Sequence, residues 1–255
     1  MVNVVIDGKE MKVPVGTTAL EAAREAGIAI PTLCYIKALR PNKACRLCIV
    51  EAQGPGLDKM VAVSCDLLLA EGMEIVTGSA RIKKMRQGIA ALLLASMPDN
   101  KEAKALAAEL GVSATPFSVA SHDACALCGI CIQACQQKIG VSALGFAAKN
   151  GKSADMVLLD TDRCVGCGAC ANVCPVGAIV VHDKDGKREL SLYGQVANTL
   201  DLVKCQACGA PFATGKVISL LQDRLKKDAL TMDAVYCPAC AREKNPAPRF
   251  EQAVN

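Results

Sequence analysis

The sequence predicts an α+β chain built of four small parts, and three observations carry that reading. Two alternating apolar runs around Asp7-Gly8 precede a capped helix, a hairpin–helix start. Two later stretches repeat one cysteine spacing, C-x₂-C-x₂-C-x₃-C. Beyond them stand two C-x₂-C pairs. All 16 cysteines fall into four groups of four, so the parts are organised around these groups as much as around apolar cores.

Residues 1–78 are expected to form a β-grasp unit. Residues 2–6 and 11–15 alternate about Asp7-Gly8, a dipeptide that accepts the positive φ values of a two-residue hairpin turn. Thr17 or Thr18 can cap a helix reaching about Ala26, with Glu21 in its first turn and Gly27 past its end. Apolar runs at 47–52, 60–63 and 73–76 supply further strands. Residues 79–120 predict a helical connector. Ile82, Met85, Ile89, Leu92 and Leu93 recur at helical spacing. Arg81, Lys83, Lys84 and Arg86 lie between them and read as a solvated face, with a docking surface as the alternative. A second helix is expected from residue 100 to 110, ended by Gly111.

Residues 121–185 hold the two longer cysteine runs, separated by a segment rich in Gly, Ala and Lys with a strand-like Met156–Leu159. The polar residues 183–189 read as a linker. Residues 203–245 carry the two C-x₂-C pairs on either side of an amphipathic helix around 217–225. Residues 245–255 look loosely ordered.

Composition narrows the function classes. The 255 residues carry a net charge of only +4, and aromatics make up 3% with no Trp. Neither a nucleic-acid field nor a base-stacking surface is suggested. The opening MVNVVIDGKEMKVPV lacks a charged segment followed by an apolar one. The longest strongly apolar stretch, 89–95, is too short to span a bilayer. A cytoplasmic protein without a transmembrane segment is expected. In a reducing compartment, closely spaced cysteines read as metal sites and not as disulfides.

Each cysteine group has its own chemistry. CALCGICIQAC and CVGCGACANVCP repeat the spacing that holds cubane iron–sulfur clusters in two-cluster ferredoxins, where the fourth cysteine of each run serves the other run's cluster. One [4Fe-4S] set is then Cys125, Cys128, Cys131 and Cys174; the other is Cys135, Cys164, Cys167 and Cys170. Gly129, Gly166, Gly168 and Ala169 leave room for backbone N–H groups to approach the sulfurs. Pro175 closes the second run, whereas Gln136 follows the first.

Cys34, Cys45, Cys48 and Cys65 are spaced C-x₁₀-C-x₂-C-x₁₆-C, which suits a two-iron cluster; from spacing alone a zinc site competes. Cys205, Cys208, Cys237 and Cys240 form paired knuckles 28 residues apart. They are read as a Cys₄ zinc site, with a fourth iron–sulfur cluster or a single iron as alternatives. His122 and His182 are expected at the surface or beside a site, because the cysteine sets are already complete. Gly166-Cys167-Gly168 belongs to a cluster loop and is not a dinucleotide fingerprint.

The strings PTLCYIKALRPNKACRLCIVEA and VAVSCDLLLAEGMEIVTGS resemble the N-terminal two-iron domain of the largest peripheral subunit of respiratory complex I. The same module occurs in iron-only hydrogenases and in the diaphorase iron–sulfur subunits of NAD-linked hydrogenases and formate dehydrogenases. The resemblance covers residues 1 to about 180 and implies a [2Fe-2S] cluster on Cys34, Cys45, Cys48 and Cys65. The chain departs from that pattern in two places. Lys43 stands where relatives commonly carry Gly. Residues 96–106, where relatives usually place a His-Cys₃ cluster, contain neither His nor Cys, so that cluster is expected to be missing.

The fold expected is therefore α+β: a β-grasp [2Fe-2S] ferredoxin domain, a helical connector, a two-[4Fe-4S] ferredoxin domain and a small C-terminal Cys₄ ribbon. The resemblance implies a non-catalytic electron-transfer subunit of a multisubunit oxidoreductase. It would carry one [2Fe-2S] cluster, two [4Fe-4S] clusters and one Zn²⁺. Its partners would be a flavin/NAD(P)-binding subunit and a catalytic subunit such as a hydrogenase or formate dehydrogenase. The alternative is a redox-sensing iron–sulfur/zinc interaction or nucleic-acid-binding protein, although a sensor needs only one cluster.

Overall fold

Asp7 and Gly8 take φ of 50° and 79°, and turn β1 (Val2–Ile6) back into the antiparallel β2 (Lys9–Val13). The structure, a computed structural model, describes residues 1–118, 125–148, 156–227 and 235–244. After the hairpin, α1 (Ala19–Glu25) starts at Thr18 in a reciprocal capping box: the Thr18 hydroxyl accepts from the Glu21 amide and the Glu21 carboxylate accepts from the Thr18 amide. Three strands follow: β3 (Ile49–Gly54), β4 (Leu57–Val63) and β5 (Met73–Val76). They complete a five-stranded sheet in the order β2-β1-β5-β3-β4, with β5 parallel to β1. Ala19, Leu20, Ala22 and Ala23 of α1 are buried in one cluster with Val4, Ile6, Val50 and Ile75 of the sheet. The crossover brings both ends of a long loop, residues 26–48, against this core, and that loop carries three of the four N-terminal cysteines.

The connector consists of α2 (Ala80–Ser96), capped by Ser79, and α3 (Lys101–Glu109), capped by Asn100. Gly111 follows at φ 77°. The face of α2 differs from the expected one. Ile82, Arg86, Ala90, Ala91, Leu94 and Ala95 are buried, while Met85 and Leu92 are exposed. Towards its C-terminal end the inward stripe is rich in alanine, where α3 packs against it, with Ala90, Leu94 and Ala107 sharing one cluster. Arg86 is not on a solvated face at all.

The two longer cysteine runs each lead into a short helix. Gly129 starts α4 (Ile130–Gln133), which continues as a π-helical turn, Ala134–Ile139; Gly168 starts α5 (Ala169–Asn172). Both glycines sit in the left-handed region. Between the runs, β6 (Leu144–Ala147) and β7 (Met156–Leu159) pair antiparallel.

The expected linker at 183–189 is instead a hairpin. β8 (Ile179–Lys184) turns at Asp185-Gly186 into β9 (Lys187–Leu192), which turns at Tyr193-Gly194 into β10 (Gln195–Lys204). Asp185, Gly186, Tyr193 and Gly194 all have positive φ, as in the first hairpin. β11 (Pro211–Thr214) completes a four-stranded sheet, β11-β10-β9-β8. The polar residues here are the exposed face of a sheet whose other face buries Ile179, Leu190 and Leu192. Then come α6 (Gly215–Lys227) and α7 (Pro238–Lys244). His182 is exposed on β8, opposite Glu189. His122 and residues 245–255 lie outside the described residues.

Candidate metal centres

The N-terminal loop brings Cys34, Cys45, Cys48 and Cys65 together as two pairs. Cys34, Cys48 and Cys65 are almost fully buried. A hydrogen bond between the Cys34 and Cys45 side chains pulls Cys45 down to about 5 and pushes Cys34 up. Cys48 and Cys65 behave alike: their mutual bond takes Cys48 to about 6 and raises Cys65. Two pairs of adjacent sulfurs are what two neighbouring irons need, two thiolates each. The Cys45 amide donates to Cys34 Sγ at 3.4 Å. Lys43, where a Gly was expected from the resemblance, takes φ 56° and bonds Asp66 at 2.8 Å. Arg46 is also left-handed, at φ 57°.

A residue that sequence reasoning misplaced stands behind this loop. Arg86 is 6% exposed. Its Nε donates to the Leu47 carbonyl at 3.0 Å and a terminal nitrogen to the Ile49 carbonyl at 2.7 Å, the carbonyls on either side of Cys48. Its only sequence signal was a cation at the i+4 position from buried Ile82, which periodicity alone reads as helix-face noise.

The two longer runs interleave. One small apolar cavity is lined by Cys125, Cys128, Cys131 and Cys174 together with Gly129, Pro175, Val176 and Tyr193. A second is lined by Cys135, Cys164, Cys167 and Cys170 with Val165, Gly166, Gly168 and Leu190. Burial raises Cys128 to about 11, and Cys131 and Cys170 to about 12, so these thiols stay protonated near neutrality until a metal displaces the protons. Backbone amides point at the sulfurs: Leu127 at Cys125, Gly166 at Cys164, Ala143 at Cys135 and Ala178 at Cys174, at 3.2–3.4 Å. Donors so placed stabilise thiolate charge. Four thiols converging on an apolar cavity, with N–H groups on the sulfurs, fit a cubane cluster in each place.

The three sets adjoin one another. Cys34 and Cys128 belong to one buried cluster with Leu39, Ile130 and Ala134, against which Cys45 also packs. The Asn42 side chain donates to the Cys128 carbonyl. Cys131, Cys135, Cys164 and Cys170 share the next cluster. Met97, 2% exposed at the end of α2, packs with Val176, Ala178, Leu33, Cys125 and Cys174. It fills the junction between connector and first cavity with apolar volume.

At the other end, Cys205, Cys208, Cys237 and Cys240 place all four Sγ atoms within 4.8 Å of one another, with Cys208 and Cys237 3.9 Å apart. Four sulfurs at about 2.3 Å from one tetrahedral ion stand about 3.8 Å apart, so the set fits a single metal ion. Hydrogen bonds from the Cys208 and Cys237 amides hold Cys205 down to about 6, whereas side-chain bonds to Cys237 and Cys208 raise Cys240 to about 12. Cys205 directly follows β10, and the sheet around it, from β9 to the start of α6, is fastened to the second run. The buried Thr214 hydroxyl donates to the Val165 carbonyl, Arg188 donates to the Gly166 carbonyl at 3.0 Å, and Lys216 donates to the Asp162 carbonyl at 2.9 Å.

Fold and cysteine geometry define a chain with two ferredoxin-type regions, one suited to a two-iron and one to four-iron clusters. Residues 1–80 match the family model of a 2Fe-2S iron-sulfur cluster binding domain, and residues 157–180 that of a 4Fe-4S binding domain. The chain is 33% identical over 218 residues to the NADP-reducing hydrogenase subunit HndD of Solidesulfovibrio fructosivorans, covering 72% of this chain and 36% of that one. It is 28% identical to a subunit of the NADH-quinone oxidoreductase of Rhizobium meliloti (strain 1021), covering 71% of this chain and 24% of that one. Among solved structures, an NAD⁺-reducing [NiFe]-hydrogenase in the H₂-reduced state superposes with a TM-score of 0.59 at 26% identity, over 69% of this chain and 85% of that one. The chain is thus similar to a subunit of an NADP-reducing hydrogenase, a subunit of an NADH-quinone oxidoreductase and a chain of an NAD⁺-reducing [NiFe]-hydrogenase, and it spans about a third or less of the length of the two curated relatives.

Proposed function

We propose that the chain relays single electrons between a flavin/NAD(P)-binding subunit and a catalytic oxidoreductase subunit such as a hydrogenase or formate dehydrogenase, in the cytoplasm. Cys34, Cys45, Cys48 and Cys65 hold a [2Fe-2S] cluster. Cys125, Cys128, Cys131 and Cys174 hold one [4Fe-4S] cluster, and Cys135, Cys164, Cys167 and Cys170 the other. Cys205, Cys208, Cys237 and Cys240 hold a structural Zn²⁺ in a ribbon-like C-terminal unit. The domains follow as 1–78, 79–120, 121–185 and 203–245, with β9 and β10 bridging the last two. No helix among the described residues is long and apolar enough to cross a membrane.

The observation that carries this reading is the sequence of buried contacts: Cys34 shares a cluster with Cys128, Cys128 and Cys131 line one cavity, and Cys131 shares the next cluster with Cys135, Cys164 and Cys170. When bound, the clusters supply one-electron redox chemistry. The chain's own residues hold them, exclude water with apolar walls, and order them as two-iron, first cubane, second cubane. The names of the relatives, all NAD(P)- or NADH-linked, support the choice of partners.

Anaerobic elemental analysis tests the inventory: about ten Fe and one Zn per chain are expected. About fourteen Fe without Zn would replace the zinc assignment by a fourth cluster. The order is tested in the assembled complex. Cys48→Ser should abolish physiological electron transfer while sparing reduction of an artificial acceptor at the catalytic subunit. Unchanged physiological turnover, with the two-iron signal gone, would take that cluster out of the series.

A further inference from the structure

Arg86 is a buried cation with no carboxylate of its own among the described residues. Among the described residues it makes no ion pair, unlike buried Glu51, which meets Lys59 at 3.1 Å. The carboxylate with an appreciable field at Arg86 is Asp7, but both Asp7 oxygens are taken by Thr77, at 2.7 Å from its amide and 2.5 Å from its hydroxyl. Burial disfavours the guanidinium, and the other group that favours it is the thiolate of Cys48. A buried charge is tolerated when hydrogen-bonded and balanced by an opposite charge. Two carbonyls supply the hydrogen bonds here. The balancing charge lies on the far side of the Cys48 peptide, at the cysteine set.

We propose that Arg86 is a positioning residue for the two-iron centre: it fixes the Cys48 segment to α2 and sets a permanent positive charge behind it, raising the centre's reduction potential. The proposal rests on the [2Fe-2S] reading of Cys34, Cys45, Cys48 and Cys65. Two ferric irons, two sulfides and four thiolates sum to a dianion, and one added electron makes a trianion. A nearby cation stabilises the trianion more than the dianion, and low local dielectric strengthens the effect. Arg86 therefore favours the reduced state, with the electron supplied by any upstream donor or chemical reductant.

The test is a potentiometric titration of the full chain, purified anaerobically with its clusters, following the two-iron paramagnetic signal; the cubane signals serve as internal references. Arg86→Gln, which removes the charge, should shift the reduction equilibrium about tenfold toward the oxidised state, about 59 mV for one electron. Arg86→Lys, which keeps the charge and gives up the two-pronged bond, should restore most of that shift. Equal displacement in both variants, or displacement in neither, would overturn the proposal. Should the Gln variant fail to load, the Lys variant decides alone: a midpoint near that of the unmodified chain supports the charge, and a displaced midpoint or a missing cluster refutes it. Lack of any two-iron signal in the unmodified chain would overturn the underlying reading, and the proposal with it.

Discussion

In the first of the two long cysteine runs the residue two places after the leading cysteine is Leu127; in the second it is Gly166. Both donate their N–H to that cysteine's sulfur at 3.4 Å, and both hold positive φ, 49° and 68°. The local loop is thus the same, and side-chain surroundings decide which residue occupies it. A Cβ on Gly166 would lie 2.5 Å from Leu200 Cδ1 and 2.9 Å from Thr214 Cγ2, because the β10–β11 sheet closes over that loop. Leu127 faces no such lid; it packs into the cluster containing Leu144, Val157 and Leu190. The first run borders the N-terminal loop through Cys34 and Cys128, and the second borders the C-terminal unit through Val165, Gly166 and Thr214. Identical spacing therefore supplies one coordination geometry, while different neighbours give each centre its own set of perturbing groups.

The largest expected effect tests whether the runs share ligands. Cys174→Ala should eliminate the cluster held mainly by the first run, and Cys135→Ala the one held mainly by the second, as read from the spectra of reduced samples. If each variant damages only its own run's cluster, the interleaving is wrong.

Next in size is the lid. Gly166→Ala adds a side chain in the left-handed region and forces Leu200 and Thr214 aside, a cost of about 2–4 kcal/mol. Faster loss of the second-run cluster in denaturant is expected, with first-run cluster loss unaffected. Equal acceleration at both centres would show that the runs do not have separate surroundings.

A smaller effect comes from Leu127→Gly. It relieves left-handed strain but removes half-buried apolar area, and the two offset to within about 1 kcal/mol. Denaturation midpoints should nearly coincide with those of the unmodified chain. A large loss would mean that packing at Leu127 outweighs its backbone strain.

The smallest involves acid. Arg188, which supports the Gly166 carbonyl, also grips Asp183 at 2.6 and 2.7 Å. That bond holds the Asp183 carboxyl below its ordinary value. Its stabilising contribution is present above the unfolded value of about 4 and is lost as pH falls through the lower folded value. The Asp183 carboxylate lies at the surface, so Asp183→Asn should cost below about 1 kcal/mol at neutral pH. Rates of second-run cluster loss in the variant and the unmodified chain should differ at pH 7 and converge as pH drops below about 4. A difference that persists in acid would remove the ion pair as its cause.

Much of the N-terminal unit was legible from short-range chemistry. The Asp7-Gly8 turn and the helix start at Thr17 or Thr18 each act within a few residues, and each forms where the sequence placed it, with Thr18 as the cap. The same hairpin signal at Asp185-Gly186 was obscured by polar neighbours, whose charges belong to an exposed sheet face and not to a linker. The α2 stripe was misread for a different reason. Apolar spacing pointed to Met85 and Leu92, but Arg86, Ala90 and Ala91 face inward because α3 and the 47–49 carbonyls come close on that side.

By itself the sequence determined the local conformations and the four cysteine groups, because caps, turns and knuckles depend on residues a few places apart. Tertiary structure decided which groups adjoin, why Gly166 rather than a larger residue sits under Leu200 and Thr214, and that a cation in a basic helix is buried behind Cys48. Those outcomes depend on contacts between residues tens of positions apart. Such contacts are set by how sheet, connector and cysteine loops fill space together, which periodicity and spacing along one chain do not encode.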